Sequence, residues 1–131
     1  MKFHHYGLLS ANPEATREIL CGMGYTVAAP VHDPLQNVLL FWGSHELLPP
    51  VEIIAPAETS GAVSKLQKTL KQGVYHLCFE VDDLAADLAK LGEHGRVLPV
   101  SPPQPAVLFG GRKVSFHFVE NFGLIELLEP S

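Results

Sequence analysis

The chain has 131 residues, is 47% hydrophobic and 18% charged, and carries a formal net charge of −5, the make-up of one folded domain of ordinary size. That acidic balance excludes a nucleic-acid footprint, which needs clustered Lys and Arg. No run approaches the ~20 apolar residues of a membrane-crossing helix, and Met1-Lys2-Phe3-His4-His5 lacks the apolar stretch of a secretory signal. A cytoplasmic protein acting on a small molecule is therefore expected, with Cys21 and Cys78 as reduced thiols.

Phe3 to Leu9 predicts a first strand. Asn12 and Pro13 then supply the N-cap and first position of a helix, and Glu14 suits the positive end of its dipole. Ala15, Ile19 and Leu20 are its expected buried face, and Gly22 and Gly24 end it. Tyr25 to Ala29 predicts a short strand, His32-Asp33-Pro34 a turn, and Val38 to Trp42 another strand. Trp42, the only tryptophan, suits core packing and a cavity wall equally. Pro50 to Pro56 is one more strand, and Val63, Leu66 and Leu70 recur at helical spacing, which predicts a linker helix over about 60–71.

Gly73 to Asp83 is the stretch around which the rest is organised. In a strand alternate side chains share a face, so His76, Cys78 and Glu80 point one way and Leu77, Phe79 and Val81 the other. An imidazole and a carboxylate are odd company on a strand that otherwise has the residues of a sheet interior. Asp83 then caps a helix whose Leu84, Leu88 and Leu91 form an apolar stripe, stopped by Gly92 or Gly95. Ser101 to Pro105 is too rich in proline for regular structure. Phe109-Gly110-Gly111-Arg112 reads as a tight hairpin, where Arg112 and Lys113 are either ordinary surface cations or an anchor for an anionic substrate tail.

The chain repeats itself. His5 aligns with His76 at an offset of 71 (76 − 5), Glu52 with Glu126 at 74 (126 − 52), and the strand Val38 to Gly43 is matched to Val114 to Val119. Such self-similarity implies two copies of one βαβββ unit, the first over about 1–58 and the second over about 73–131. The expected architecture is a single α+β domain over 1–131. Its open, curved, eight-stranded sheet would have helices outside and a metal cavity at its centre.

If the copies pack about a pseudo-twofold axis, His5 and Glu52 from one meet His76 and Glu126 from the other. Two imidazoles and two carboxylates without thiolates suit zinc, nickel, cobalt, manganese or ferrous iron. The bland alternative makes Glu52 and Glu126 edge-strand carboxylates facing water. Each sits among Val, Ile and Leu, however, where an unpaired charge costs several kcal/mol.

His5-Tyr6-Gly7, Val51-Glu52-Ile53-Ile54-Ala55-Pro56, Gly73 to Asp83 with its His76, and Gly123-Leu124-Ile125-Glu126-Leu127 together span nearly the whole chain. In this order they resemble the vicinal oxygen chelate superfamily, closest to its methylmalonyl-CoA epimerase and glyoxalase I branches. The resemblance implies that His5, Glu52, His76 and Glu126 are the four protein ligands of a divalent ion. It also implies that Glu126 is the catalytic base, with Glu52 or a second group returning the proton. An acyl-CoA or other thioester is the implied substrate type, and a homodimer is compatible with it. One departure stands out: the epimerase branch carries a further glutamate where this chain reads Asp33-Pro34-Leu35-Gln36-Asn37, so that Leu35 or Gln36 replaces it.

Three readings follow. The first is a metal-dependent isomerase, epimerase or glyoxalase-like lyase that abstracts a proton beside a chelated carbonyl or thioester oxygen. The second is a metal-free module that sequesters a drug or other small molecule, as bleomycin-resistance relatives do. The third is a ring-cleaving dioxygenase with two His and one carboxylate on ferrous iron, which Glu52 and the short chain count against.

Overall fold

The repeat in the sequence returns as a repeat of strand pairing. A computed structural model describes residues 1–57, 68 and 72–131. The predicted linker helix over 60–71, with Val63, Leu66 and Leu70, lies outside the described residues. The first repeat runs β1 (Lys2–Leu9), α1 (Pro13–Gly22), β2 (Thr26–Val27), β3 (Val31–Asp33), β4 (Val38–Ser44) and β5 (Val51–Pro56). The second runs β6 (Gly73–Glu80), α2 (Leu84–Gly92), β7 (Val97–Pro99), β8 (Gln104–Pro105), β9 (Lys113–Val119) and β10 (Gly123–Leu128).

In each repeat the last strand pairs parallel to the first and antiparallel to the one before it, which gives the orders β1-β5-β4-β2 and β6-β10-β9-β7. The sheet is open and the class is α+β, as expected. Each repeat carries one short strand beyond the expected four. β3 pairs with β4 over Val31–Asp33, where a turn was predicted, and β8 pairs with β9 over Gln104–Pro105, in the proline-rich loop. The two-residue pairing of β8 is open to Pro105 on an edge strand, because only some of its N–H groups face the neighbour.

By packing, the chain divides into two compact units, Tyr6–Tyr75 and a second made of Met1–His5 with His76–Ser131. In the first, Leu20, Tyr25, Val27, Phe41, Val51 and Ile53 form the core, with Tyr6, Leu8 and Leu39 against them. In the second, Val81, Val119, Ile125 and Leu127 pack with Leu84, Leu88, Leu91 and Val97. Odd-numbered residues of β5 and β10 thus fill the cores beneath the helices. Glu52 and Glu126, between them in sequence, must point from the opposite face.

Both helix caps are as predicted: Asn12 accepts from the Ala15 N–H at 3.2 Å and Asp83 from the Ala86 N–H at 3.0 Å. The buried stripe of α1 differs. Leu20 is buried, but Ala15 and Ile19 are exposed, Ile19 at 61%, and Thr16 and Arg17 share the covered side instead. Ile19 lies one residue, about 100°, off the line through Thr16 and Leu20, so it faces away from the sheet.

Gly43 shows how closely this unit is packed. A Cβ there would lie 2.6 Å from Val51 Cγ1 and 3.4 Å from Tyr25 Cδ1. Gly43→Ala is therefore expected to destabilise by about 1–3 kcal/mol, the usual range for overpacking. The urea midpoint reads this out, and an unchanged midpoint would mean that β4 and β5 separate without cost.

Candidate metal centre

His5 lies on β1, His76 on β6 and Glu126 on β10, all within one unit, and all three are almost fully buried at 0%, 2% and 3% exposure. Glu126 Oε1 is 3.4 Å from His5 Nε2 and 3.7 Å from His76 Nε2. Both distances exceed the 2.7–3.2 Å of a good N–H···O hydrogen bond. Glu126 Oε1 is out of reach of water and has no hydrogen-bond partner among the described residues. The three side chains can each offer one ligand atom within 4.8 Å of the others. Two imidazole nitrogens and a carboxylate oxygen that converge without bonding well to one another fit a divalent ion with nitrogen and oxygen ligands.

The ladders explain the convergence. Cys78, two residues on from His76 and on its face, stands directly opposite Glu126. Gly7, two residues on from His5, stands directly opposite Glu52. Glu52 is itself 6% exposed on β5, in the other unit, so the structure groups three of the four expected ligands within one unit and places the fourth at the matching register position.

The same ladders settle Trp42 and correct one alignment. Trp42 is opposite Glu52 and Phe116 is opposite Glu126, so the strand offset is 74, and Trp42 corresponds to Phe116 rather than to Phe118. Trp42 therefore stands on the Glu52 face and not in the Phe41–Ile53 core. Phe116 meets the His76 ring edge-on at 5.2 Å between centroids. Sequence reasoning missed Phe116 as a wall of the site, although the 74-residue offset shared with Glu126 was the signal that marks it.

Phe109 was also missed in this role. It ends a 3₁₀ turn (Val107–Phe109), and Gly110 and Gly111 follow with φ of 64° and 82°, the left-handed conformation expected of them. The link from β8 to β9 is a longer loop than the predicted tight hairpin, and it delivers the Phe109 ring to His4 and His5 at 5.1 and 5.3 Å. Arg112 does not reach out as an anchor: its Nη2 is 3.0 Å from Glu80 Oε2 and its Nε donates to the Glu129 carbonyl at 2.9 Å.

Burial pushes the His76 pKa down to about 4, against a raising effect from Glu126. Burial acts to raise that of Glu126, but the adjacent His5 and His76 imidazoles outweigh it and hold it below the ordinary carboxylate value. A neutral imidazole beside a carboxylate is the protonation state that a metal ion needs. The same shift makes stability depend on pH. Between about pH 6.5 and 4 the unfolded chain binds a proton at His76 that the metal-free folded protein refuses, so stability falls as pH falls through that window. The loss from this group is roughly 3 kcal/mol at 1.36 kcal/mol per pH unit. Urea midpoints of metal-free protein should trace it, and His76→Gln should make the curve shallower; parallel curves would refute the assignment.

The sequence profile of the Glyoxalase/Bleomycin resistance protein/Dioxygenase superfamily matches residues 4–116, and the chain belongs to that superfamily. No curated protein matches the sequence. Among solved structures, methylmalonyl-CoA epimerase from Mycobacterium tuberculosis is similar at a TM-score of 0.78 and 18% identity, over 99% of this chain and 88% of that one. A hypothetical protein from Bacillus halodurans matches at 0.81 and 17%, over 99% and 94%. A Streptomyces coelicolor methylmalonyl-CoA epimerase variant in complex with 2-nitronate-propionyl-CoA matches at 0.77 and 21%, over 100% and 98%. At these identities the likeness concerns the fold. Among the described residues no helix is long and apolar enough to cross a membrane.

Proposed function

We propose that the protein is a metal-dependent isomerase or epimerase, or a glyoxalase-like lyase, that moves a proton beside a carbonyl or thioester oxygen. The observation that carries this reading is the convergence of buried His5, His76 and Glu126, with Glu126 Oε1 without a hydrogen-bond partner among the described residues. Glu52 is the fourth ligand in this reading. Its register opposite Gly7 relates it to His5 as the register opposite Cys78 relates Glu126 to His76. A divalent ion held there, such as zinc, nickel, cobalt or manganese, would supply a Lewis acid for the negative charge that develops on the substrate oxygen, worth several kcal/mol.

The remaining work falls to the chain. Glu126, kept ionised by the imidazoles, takes the proton, and Glu52 returns it. Trp42 stands beside Glu52 across the β4–β5 ladder, and Phe116 beside Glu126 across the β9–β10 ladder. A thioester such as an acyl-CoA fits best, because similar folds are those of methylmalonyl-CoA epimerases, one of them in complex with methylmalonyl-CoA. The further glutamate of that branch has no counterpart in the β3–β4 turn. Leu35 there is 60% exposed, and Asp33 is committed to accepting from the Leu35 N–H at 2.9 Å, the Gln36 N–H at 3.4 Å and Gln36 Nε2 at 3.3 Å. The two carboxylates of the repeat must then suffice as acid and base.

Elemental analysis of protein purified without a metal-capturing tag, paired with solvent deuterium exchange into thioester and hemithioacetal substrates, tests the proposal. One divalent ion per chain with exchange supports it. Metal-free protein that binds a drug-like ligand tightly and catalyses no exchange would replace it with the sequestering module.

A further inference from the structure

The first strand carries two consecutive histidines, and the proposed site uses only His5. His4 Nδ1 lies 2.8 Å from His5 Nδ1, while the other nitrogen of His5, Nε2, faces Glu126. Both imidazoles rest against Phe109, which limits their rotation. Burial and the neighbouring His5 lower the His4 pKa, and Glu80, which raises it, is paired with Arg112 at 3.0 Å.

A neutral imidazole has one N–H and one lone pair. If His5 Nε2 offers its lone pair to an ion, Nδ1 must hold the proton, and the atom within hydrogen-bond distance of that proton is His4 Nδ1. We infer that His4 is a positioning residue, which accepts the His5 Nδ1–H and so selects the tautomer and ring angle that aim His5 Nε2 at the metal centre. Phe109 packs edge-on against the His4 ring in turn. This role rests on the metal-binding reading proposed above. The imidazole takes the place that a carboxylate or backbone carbonyl holds behind many metal-binding histidines, and loss of such a partner costs 10–100-fold in metal affinity.

Two substitutions separate this role from mere packing. His4→Ala removes the acceptor, whereas His4→Asn places an amide oxygen near the position of Nδ1 and keeps it. Co(II) titration of the apo-protein, followed by the visible absorption of the bound ion, should give a dissociation constant 10–100-fold weaker for His4→Ala and largely restored for His4→Asn. Long-range ¹⁵N spectra of the His5 ring should show the proton on Nδ1 in the wild type and a mixture of tautomers in His4→Ala. Melting in chelator checks that both variants fold. Equal Co(II) affinity in wild type and His4→Ala overturns the role of His4 alone, as does a wild-type His5 protonated on Nε2. Wild-type protein that takes up no Co(II) overturns the metal reading and this role with it, and the imidazole spectra then show whether the hydrogen bond itself exists.

Discussion

Removing the proposed divalent ion with a chelator is expected to lower the melting temperature by about 10–15 °C. A ligand that binds only the folded state stabilises it by about 4 kcal/mol at a free concentration 1,000 times its dissociation constant. In a chain of 131 residues, each kcal/mol moves the midpoint by roughly 3–4 °C. The buried cluster gives the effect its physical basis: without an ion, Glu126 Oε1 stays out of water beside two imidazoles too distant for good hydrogen bonds. His76→Ala should abolish most of the chelator sensitivity. The comparison must be made between apo forms as well, because the truncation itself leaves a cavity under Phe116. Identical melting curves with and without chelator, from protein shown to have carried metal, would mean that the site adds nothing to the fold.

The second large effect concerns chemistry. Glu126→Gln keeps the shape and burial of the side chain but removes its charge and its ability to take a proton, so solvent exchange of the acidic substrate hydrogen should drop by roughly 10²–10⁴-fold. In the proposed site the substitution also replaces an anionic ligand with a neutral one, and metal must therefore be counted in the same sample. Metal retained with exchange lost identifies the base, whereas metal retained with exchange undiminished moves that role to Glu52. The equivalent Glu52→Gln then becomes informative. If Glu52 returns the proton on the opposite face, epimerisation is lost while exchange of one substrate enantiomer persists.

Much of this was legible in the chain itself. Asn12 and Asp83 announce helix starts because a cap is a local bond between a side chain and an N–H three residues on. The spacing of His5 to His76 and of Glu52 to Glu126 announces the repeat, because a duplicated fold preserves relative positions. The strand period of two separates Glu126 from Ile125 and Leu127 without any structure. The caps and the strand period depend on neighbours in sequence and the repeat on comparing the chain with itself, so sequence is sufficient for them.

What the tertiary structure decided depends on neighbours across strands. Trp42 was open between core and cavity wall until its pairing with Glu52 put it on the carboxylate face. The same pairing moved the repeat offset of β9 by two residues, since register is set by the ladder and not by resemblance of apolar runs. Arg112 read as a free cation until Glu80 and the Glu129 carbonyl claimed it. His4 was one histidine beside another, and its task follows only from a 2.8 Å approach of two ring nitrogens held under Phe109, a residue more than 100 positions away. Composition and period assign a residue to a face; only the packed chain determines what stands opposite it.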